Sequence, residues 1–313
     1  MKQTLRIIRP SSREQKDILS SRLPMLEQCG FEVLYEDLEL DDSWAYTSGT
    51  AESRSRALIA ALTEPESDTV ICARGGYGAS DLLPLIPWSK LKQVRPKLLV
   101  GFSDISALHC GLYAQLGWPS MHAPMPATVL WDQSTPETSL DVQALFANLQ
   151  QWEKGSTSGS LPLTAIGDTS PHSLTGKLFG GCFTVLTNLI GTPYFPKSLA
   201  GHIVFIEDTD EHPARLMRAF NQWLQSDALI GASALVIGHL RNLGQNIPDC
   251  AEFVLKQFAQ RSPIPVFHTP LFGHSRPNYP LMIGASGQIT QGRLTWHMVR
   301  DSLSPNSTRG ANT

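Results

Sequence analysis

Four short stretches of the chain hold residue types that could do chemistry. In GFSD (101–104) a serine follows an apolar run, KLLVG (97–101). It precedes Ile105, Leu108 and Leu112, whose spacing of three and four marks one face of a helix. The turn between strand and helix is too short to hide Ser103, and it sets the hydroxyl beside the free backbone N–H groups of a helix start. That position suits a nucleophile, and it suits an N-cap, the commoner role of serine there. RGGYG (74–78) also lies between a strand-like and a helical run. It fits neither nucleotide signature: a G-x-G-x-x-G frame begun at Gly76 puts Asp81 third, and no G-K-[ST] follows. Paired glycines do allow N–H groups to turn toward a ligand, as an oxyanion hole or merely as a turn.

Glu207 closes the apolar run 203–206, where an unpaired charge is expensive, so it needs a partner. Arg215 and Arg218 are candidates for a structural ion pair. Asp208, Asp210 and Glu211 make a metal site conceivable, but consecutive acids between strand and helix more often serve as helix-start charges. His274 follows Gly273 in a loop, where an imidazole is reachable rather than packed. His122, His239 and His268 compete with it, and spacing does not choose among them.

The elements that must position these groups alternate. Strands are expected over 5–8, 31–35, 68–73 and 97–101, with helices through Leu19–Leu23–Leu26, over 53–63 and after Ser103. An acidic loop, EDLELDD (36–42), ends at Gly49-Thr50, and a short helical piece covers 81–85. Alternation of this kind implies a doubly wound, mainly parallel sheet over roughly the first 145 residues, with ligands outside the carboxyl ends of its strands. RGGYG and GFSD then face one crevice. A helix over 140–152 leads into KGSTSGS (154–160), which reads as a linker. A second, smaller α/β unit follows, with helices over 183–190, 212–226 and through Phe253–Leu255–Phe258, and strands over 202–208, 234–239 and 265–268. The expected division is 1–153, a linker over 154–172, a second domain over 173–301, and a disordered polar tail over 302–313.

Composition excludes several classes. The chain has 313 residues, 42% of them hydrophobic and 17% charged, enough for a real core and for two domains or one large domain with an elaboration. A net charge of −3 with no basic block leaves no footprint for nucleic acid, and the apolar runs are too short to span a bilayer. The first residues carry no signal-peptide pattern. Five scattered cysteines without a C-x-x-C pair give neither a zinc nor a disulfide framework and read as reduced thiols of a cytoplasmic protein.

Taken together, RGGYGASDLL (74–83), GFSDISALHCGL (101–112), GKLFGGCFTVLTNLIGTPYFPK (176–197) with IVFIEDTDEHPAR (203–215), and PLFGHS (270–275) resemble the LD-carboxypeptidase family. These serine peptidases include the murein tetrapeptide carboxypeptidases and the microcin C self-immunity peptidases. The segments recur in the family's order and approximate spacing, over about residues 5–300. The resemblance implies Ser103 as nucleophile, His274 as general base and Glu207 as the residue that orients it, with Gly76 and Asp104 N–H groups forming the oxyanion hole. It further implies an active site at the domain interface, no metal or cofactor, a homodimer, and release of the terminal D-alanine from the L,D-bond of a muropeptide tetrapeptide in the cytoplasm. A peptidyl-nucleotide substrate, as in the immunity peptidases, is the alternative within the family, and an inactive muropeptide-binding module the alternative outside catalysis. Arg9, Ala123, Cys182 and Met282-Ile283 depart from the family pattern without removing a triad member, and Cys182 and Ala123 are expected near the substrate.

Overall fold

A computed structural model describes residues 3–14, 16–35, 46–131, 136–167, 173–244, 247 and 249–300. The expected acidic loop over 36–42 and the tail from 302 lie outside these residues.

The first half runs β1 (Gln3–Ile8), α1 (Lys16–Gln28), β2 (Phe31–Tyr35), α2 (Ala51–Thr63) and β3 (Thr69–Cys72). A 3₁₀ turn (Ser80–Leu85) and α3 (Trp88–Leu91) then lead to β4 (Leu98–Gly101). A 3₁₀ turn at Ser103–Ile105, α4 (Ser106–Leu116), β5 (Ser120–His122), a third 3₁₀ turn (Val129–Trp131) and α5 (Pro136–Glu153) complete it. β3 and β4 are buried at every residue, as continuous apolar runs in a parallel sheet should be. The second half holds β6 (Ser156–Pro162), β7 (Thr164–Ile166), β8 (Ser173–Cys182), α6 (Phe183–Thr187), β9 (His202–Thr209), α7 (Pro213–Gln225) and β10 (Ala234–Arg241). It closes with α8 (Cys250–Arg261), β11 (Val266–His268), β12 (Leu281–Ile283), β13 (Ser286–Thr290) and β14 (Arg293–Val299).

Two sheets result. The first has the order β12-β5-β4-β3-β1-β2, with all but β12 parallel. Its strand order reverses between β1 and β3, and in doubly wound sheets that is where ligands bind. The second has eight strands in the order β6-β14-β13-β8-β9-β10-β11-β7, with β8 to β11 parallel.

Two expectations need correction. The segment 154–172 is not simply a linker: its described part forms β6 and β7, which occupy opposite edges of the second sheet. Only Leu163 separates them in sequence, so the two edges must come together there and the sheet must curl. The halves are also not successive in the chain, because β12 returns to the first sheet and pairs antiparallel with β5.

Helix α4 ties the sheets together. Seven consecutive residues from Ser106 to Leu112 are buried, as befits a helix covered on all sides. The Ser106 hydroxyl accepts the Cys182 N–H at 2.9 Å, and the Tyr113 hydroxyl lies 2.8 Å from His202 Nε2. The Tyr113 and Phe179 rings pack at 5.4 Å.

Candidate active site

The chain leaves β4 through Phe102, extended at φ −153°, and turns sharply at Ser103, which has φ 63°. A non-glycine residue in this left-handed region carries about 1–2 kcal/mol of strain. Loss of a strained turn is resisted on both sides, by the buried Phe102 and by the fully buried Ile105. Ser103 is not an N-cap. The cap position is Phe102, without a side-chain cap, and the Ser103 Oγ instead lies 2.9 Å from His274 Nε2.

Glu207 sits in β9 opposite Cys182 of β8 and has no exposed surface. Its partner is neither Arg215 nor Arg218: Arg215 pairs with Glu211 at 3.1 Å, whereas Glu207 Oε2 lies 2.6 Å from His274 Nδ1. A carboxylate at this distance places the imidazole proton on Nδ1 and leaves the Nε2 lone pair facing the serine. Burial raises the Glu207 pKa, but the adjacent imidazole outweighs this and the net shift is downward. For His274, burial depresses the pKa and the Glu207 carboxylate more than restores it, so the net shift is upward. Gly273, at φ 115°, makes the approach possible, because a Cβ there would stand 2.8 Å from Glu207 Oε2.

The remaining acids serve local structure. Asp208 accepts the Thr184 and Thr209 N–H groups, each at 2.9 Å, and the Thr184 hydroxyl; burial pushes its pKa up to about 6. Asp210 accepts from Asn242 at 2.8 Å. His122 is enclosed by the rings of Phe102, Phe205 and Phe272, and burial holds its pKa down at about 4. Burial also lowers the pKa values of His239 and His268.

The glycine loop lies directly against the serine. A Cβ on Gly75 would stand 2.9 Å from Ser103 Cβ and 3.3 Å from the Asp104 nitrogen. Gly76, at φ 116°, presses on Ser12, whose hydroxyl accepts the Tyr77 N–H at 3.0 Å. Asp104 lies in the first turn after the strand, so its N–H has no acceptor within the helix. Its carboxylate accepts the Ala79 N–H at 2.9 Å and the Ser11 hydroxyl at 2.5 Å. Arg54 donates to the carbonyls of Pro10, Gly49 and Gly78 at 2.7, 3.1 and 2.6 Å. The loops after β1 and β3 are therefore fastened to one another and to the serine turn.

The structure thus lines up Ser103, His274 and Glu207 by hydrogen bonds, with Asp104 next to the serine in the chain and Gly76 next to the Gly75 that packs on it. Such an array can deprotonate a hydroxyl, attack a carbonyl and receive an oxyanion. Sequence reasoning missed the Asp104 carboxylate, Ser11, Ser12, Arg54 and Asn278. A signal existed for two of them, since Pro10-Ser11-Ser12 lies at the carboxyl end of β1, where the same crevice opens. Of the departures from the family pattern, Arg9 pairs with buried Glu14 at 3.0 Å, and Ala123 is buried with its N–H on the Gly101 carbonyl. The Cys182 thiol lies 3.7 Å from Asp208 Oδ1. A cavity of about 420 Å³ between β1 and α2 is lined by Arg6, Ile8, Arg54 and Ala57 among others, and by none of the triad.

Both halves of the chain are similar to known proteins. Residues 5–123 match the LD-carboxypeptidase N-terminal domain and residues 175–289 match the LD-carboxypeptidase C-terminal domain. The murein tetrapeptide carboxypeptidase of Pseudomonas aeruginosa is 29% identical over 292 residues, 93% of this chain and 94% of that protein. The crystal structure of muramoyltetrapeptide carboxypeptidase from Oxalobacter formigenes superposes with a TM-score of 0.78 at 27% identity, covering 94% of this chain and 98% of the other. The microcin C7 self-immunity protein in complex with glutamyl sulfamoyl guanosine shares the fold, with a TM-score of 0.82 at 20% identity over 95% of this chain and 96% of the other.

Proposed function

The chain belongs to the LD-carboxypeptidase family, and from that premise we propose that it is a serine-type carboxypeptidase releasing the terminal D-alanine of muropeptide tetrapeptides by cleaving the L,D-peptide bond. The observation that carries this reading is the continuous hydrogen-bonded line from Ser103 Oγ through His274 to Glu207, with spacings of 2.9 and 2.6 Å.

In this reading the Ser103 Oγ attacks the carbonyl carbon of the L,D-bond as His274 Nε2 takes the hydroxyl proton. Glu207, already holding Nδ1–H, stabilises the imidazolium. The carbonyl oxygen becomes an oxyanion and accepts the N–H groups of Gly76 and Asp104, a kind of interaction that typically supplies about 10²–10³ in rate per donor. His274 then returns the proton to the departing nitrogen, the C–N bond breaks, and D-alanine leaves. Water, deprotonated by the same imidazole, cleaves the ester and regenerates Ser103.

The test is to incubate the purified protein with a disaccharide tetrapeptide and, separately, with a peptidyl-nucleotide, reading both by mass. Loss of one alanine from the tetrapeptide is expected. Cleavage of the peptidyl-nucleotide alone would transfer the chain to an immunity-type activity. Binding of the tetrapeptide without turnover would make it a sensing module.

A further inference from the structure

The catalytic histidine of the proposed reaction is carried by a strap that crosses between the two sheets. The strap leaves the second sheet at the end of β11 and enters the first at β12. On the second-sheet side it hangs from backbone bonds: Thr269 N–H to the Ile237 carbonyl at 3.0 Å, and His239 N–H to the Phe272 carbonyl at 2.9 Å. It is closed on itself by Tyr279 N–H to the Leu271 carbonyl at 2.8 Å. Inside that closure the Asn278 Oδ1 accepts the N–H of Gly273, the residue immediately before His274, at 2.9 Å.

On the other side the strap is tied to the first half of the chain. The Asn278 N–H donates to Asp141 Oδ2 of α5 at 2.8 Å, and the Arg276 guanidinium donates to the Val129 carbonyl. Asp141 has no exposed surface, and its other oxygen accepts the Val142 N–H at 2.9 Å. A carboxylate buried this completely is costly to desolvate, and apolar residues surround it on α5, with Val142 and Leu145 fully buried. It takes no part in the proposed chemistry. What it does make is a relay: Asp141 fixes the Asn278 backbone, Asn278 fixes Gly273, and Gly273 sets His274 against Glu207.

The relay answers a geometric demand. His274 must meet Ser103 at the end of β4, in the first sheet, and Glu207 on β9, in the second, at the same time. A strap held only by the second sheet would keep the Glu207 contact while leaving the distance to Ser103 free to open. We propose that Asp141, acting through Asn278, is a positioning residue that holds His274 on the Ser103 side of the crevice. An error of about 1 Å in such a placement can cost about 10²-fold in rate.

This inference rests on the triad reading, and its test must separate the two. A fluorophosphonate probe serves: Ser103 Oγ forms a bond to phosphorus, fluoride leaves, and His274 takes the hydroxyl proton. Asp141→Ala is expected to slow labelling per folded molecule by about tenfold to a hundredfold. On the tetrapeptide the same variant lowers kcat by a similar factor and leaves KM within about twofold. Asp141→Asn recovers most of the lost rate, because its amide oxygen still accepts the Asn278 N–H. If the alanine variant does not fold, Asp141→Ser replaces it, with a hydroxyl too short to reach the strap and the same expected loss. Labelling by Asp141→Ala at the wild-type rate per folded molecule, with His274→Ala unreactive, overturns this inference alone. An equal loss in the alanine and asparagine variants overturns it too. A wild-type protein that the probe never labels overturns the triad reading instead.

Discussion

The hydroxyl of Ser11 and the carboxylate of Asp104 meet at 2.5 Å across 93 positions of sequence, and the same carboxylate oxygen holds the Ala79 N–H. The loop after β1, the glycine loop after β3 and the turn after β4 thereby become one rigid unit around the proposed oxyanion site. Ser11→Ala removes the hydroxyl donor and leaves a buried carboxylate short of one partner, a defect of about 1–3 kcal/mol. We expect kcat to fall about tenfold with KM little changed, in line with a displaced oxyanion donor. Steady-state kinetics and urea denaturation check both parts; an unchanged kcat would detach Ser11 from the reaction.

The backbone at Ser103 separates activity from stability. Ser103→Ala and Ser103→Gly should both lose hydrolysis, by about 10³-fold or more. They should differ in stability: glycine adopts φ 63° without the side-chain penalty that alanine retains there. Denaturation midpoints should place the glycine variant at or above the alanine variant. The opposite order would mean that the turn is not strained.

Glu207→Gln is expected to be nearly as damaging as His274→Ala, at about 10³–10⁴-fold in kcat, since a neutral amide cannot stabilise the imidazolium. Losses within the triad should not add, so His274→Ala in a Ser103→Ala background should cost little further. Full additivity in the double-mutant cycle would require a different base.

The direction of the His274 shift fixes a pH dependence. The imidazole must be neutral to accept the serine proton, and its pKa lies above the ordinary value near 6.5 because the Glu207 carboxylate outweighs burial. Activity therefore rises with pH, and the acid limb of kcat/KM should fall above about 6.5. In Glu207→Gln that limb should move to lower pH, because the depressing effect of burial then loses its main opponent and only the weaker pull of Asp208 remains. A profile of kcat/KM from acid to alkaline pH reads both; a limb that stays put in the variant would show that Glu207 does not set it.

Legibility in the sequence followed chemistry and pattern, and failed where a neighbour supplied the missing bulk. The serine turn and Glu207 stood out because each ends an apolar run, whereas only the family resemblance separated His274 from His122, His239 and His268. The parallel strands were readable as buried runs. β6 was not. Its inward-facing positions are Thr157, Gly159 and Leu161, which look like a flexible tether, yet Trp296 of β14 fills the space over Gly159. A Cβ on that glycine would stand 2.5 Å from the indole. β8 begins with alternating exposed positions and ends fully buried, a change of environment that no single periodicity captures. The Asp141–Asn278 contact joins residues 137 positions apart through a backbone N–H, and a donor every residue possesses leaves no mark in side-chain types.

The return of β12 to the edge of the first sheet bears on how the chain matures. During synthesis Ser103 emerges 171 residues before the histidine that would activate it. The strand that covers β5 comes later still, at Leu281–Ile283. Until then the ribosome carries a first sheet with β5 bare on one side and a serine without a base. The strap that arms the nucleophile also delivers the strand that covers β5, so catalytic competence cannot precede the closing of the first sheet. A nascent chain stalled before residue 270 should be soundly folded in part and chemically silent.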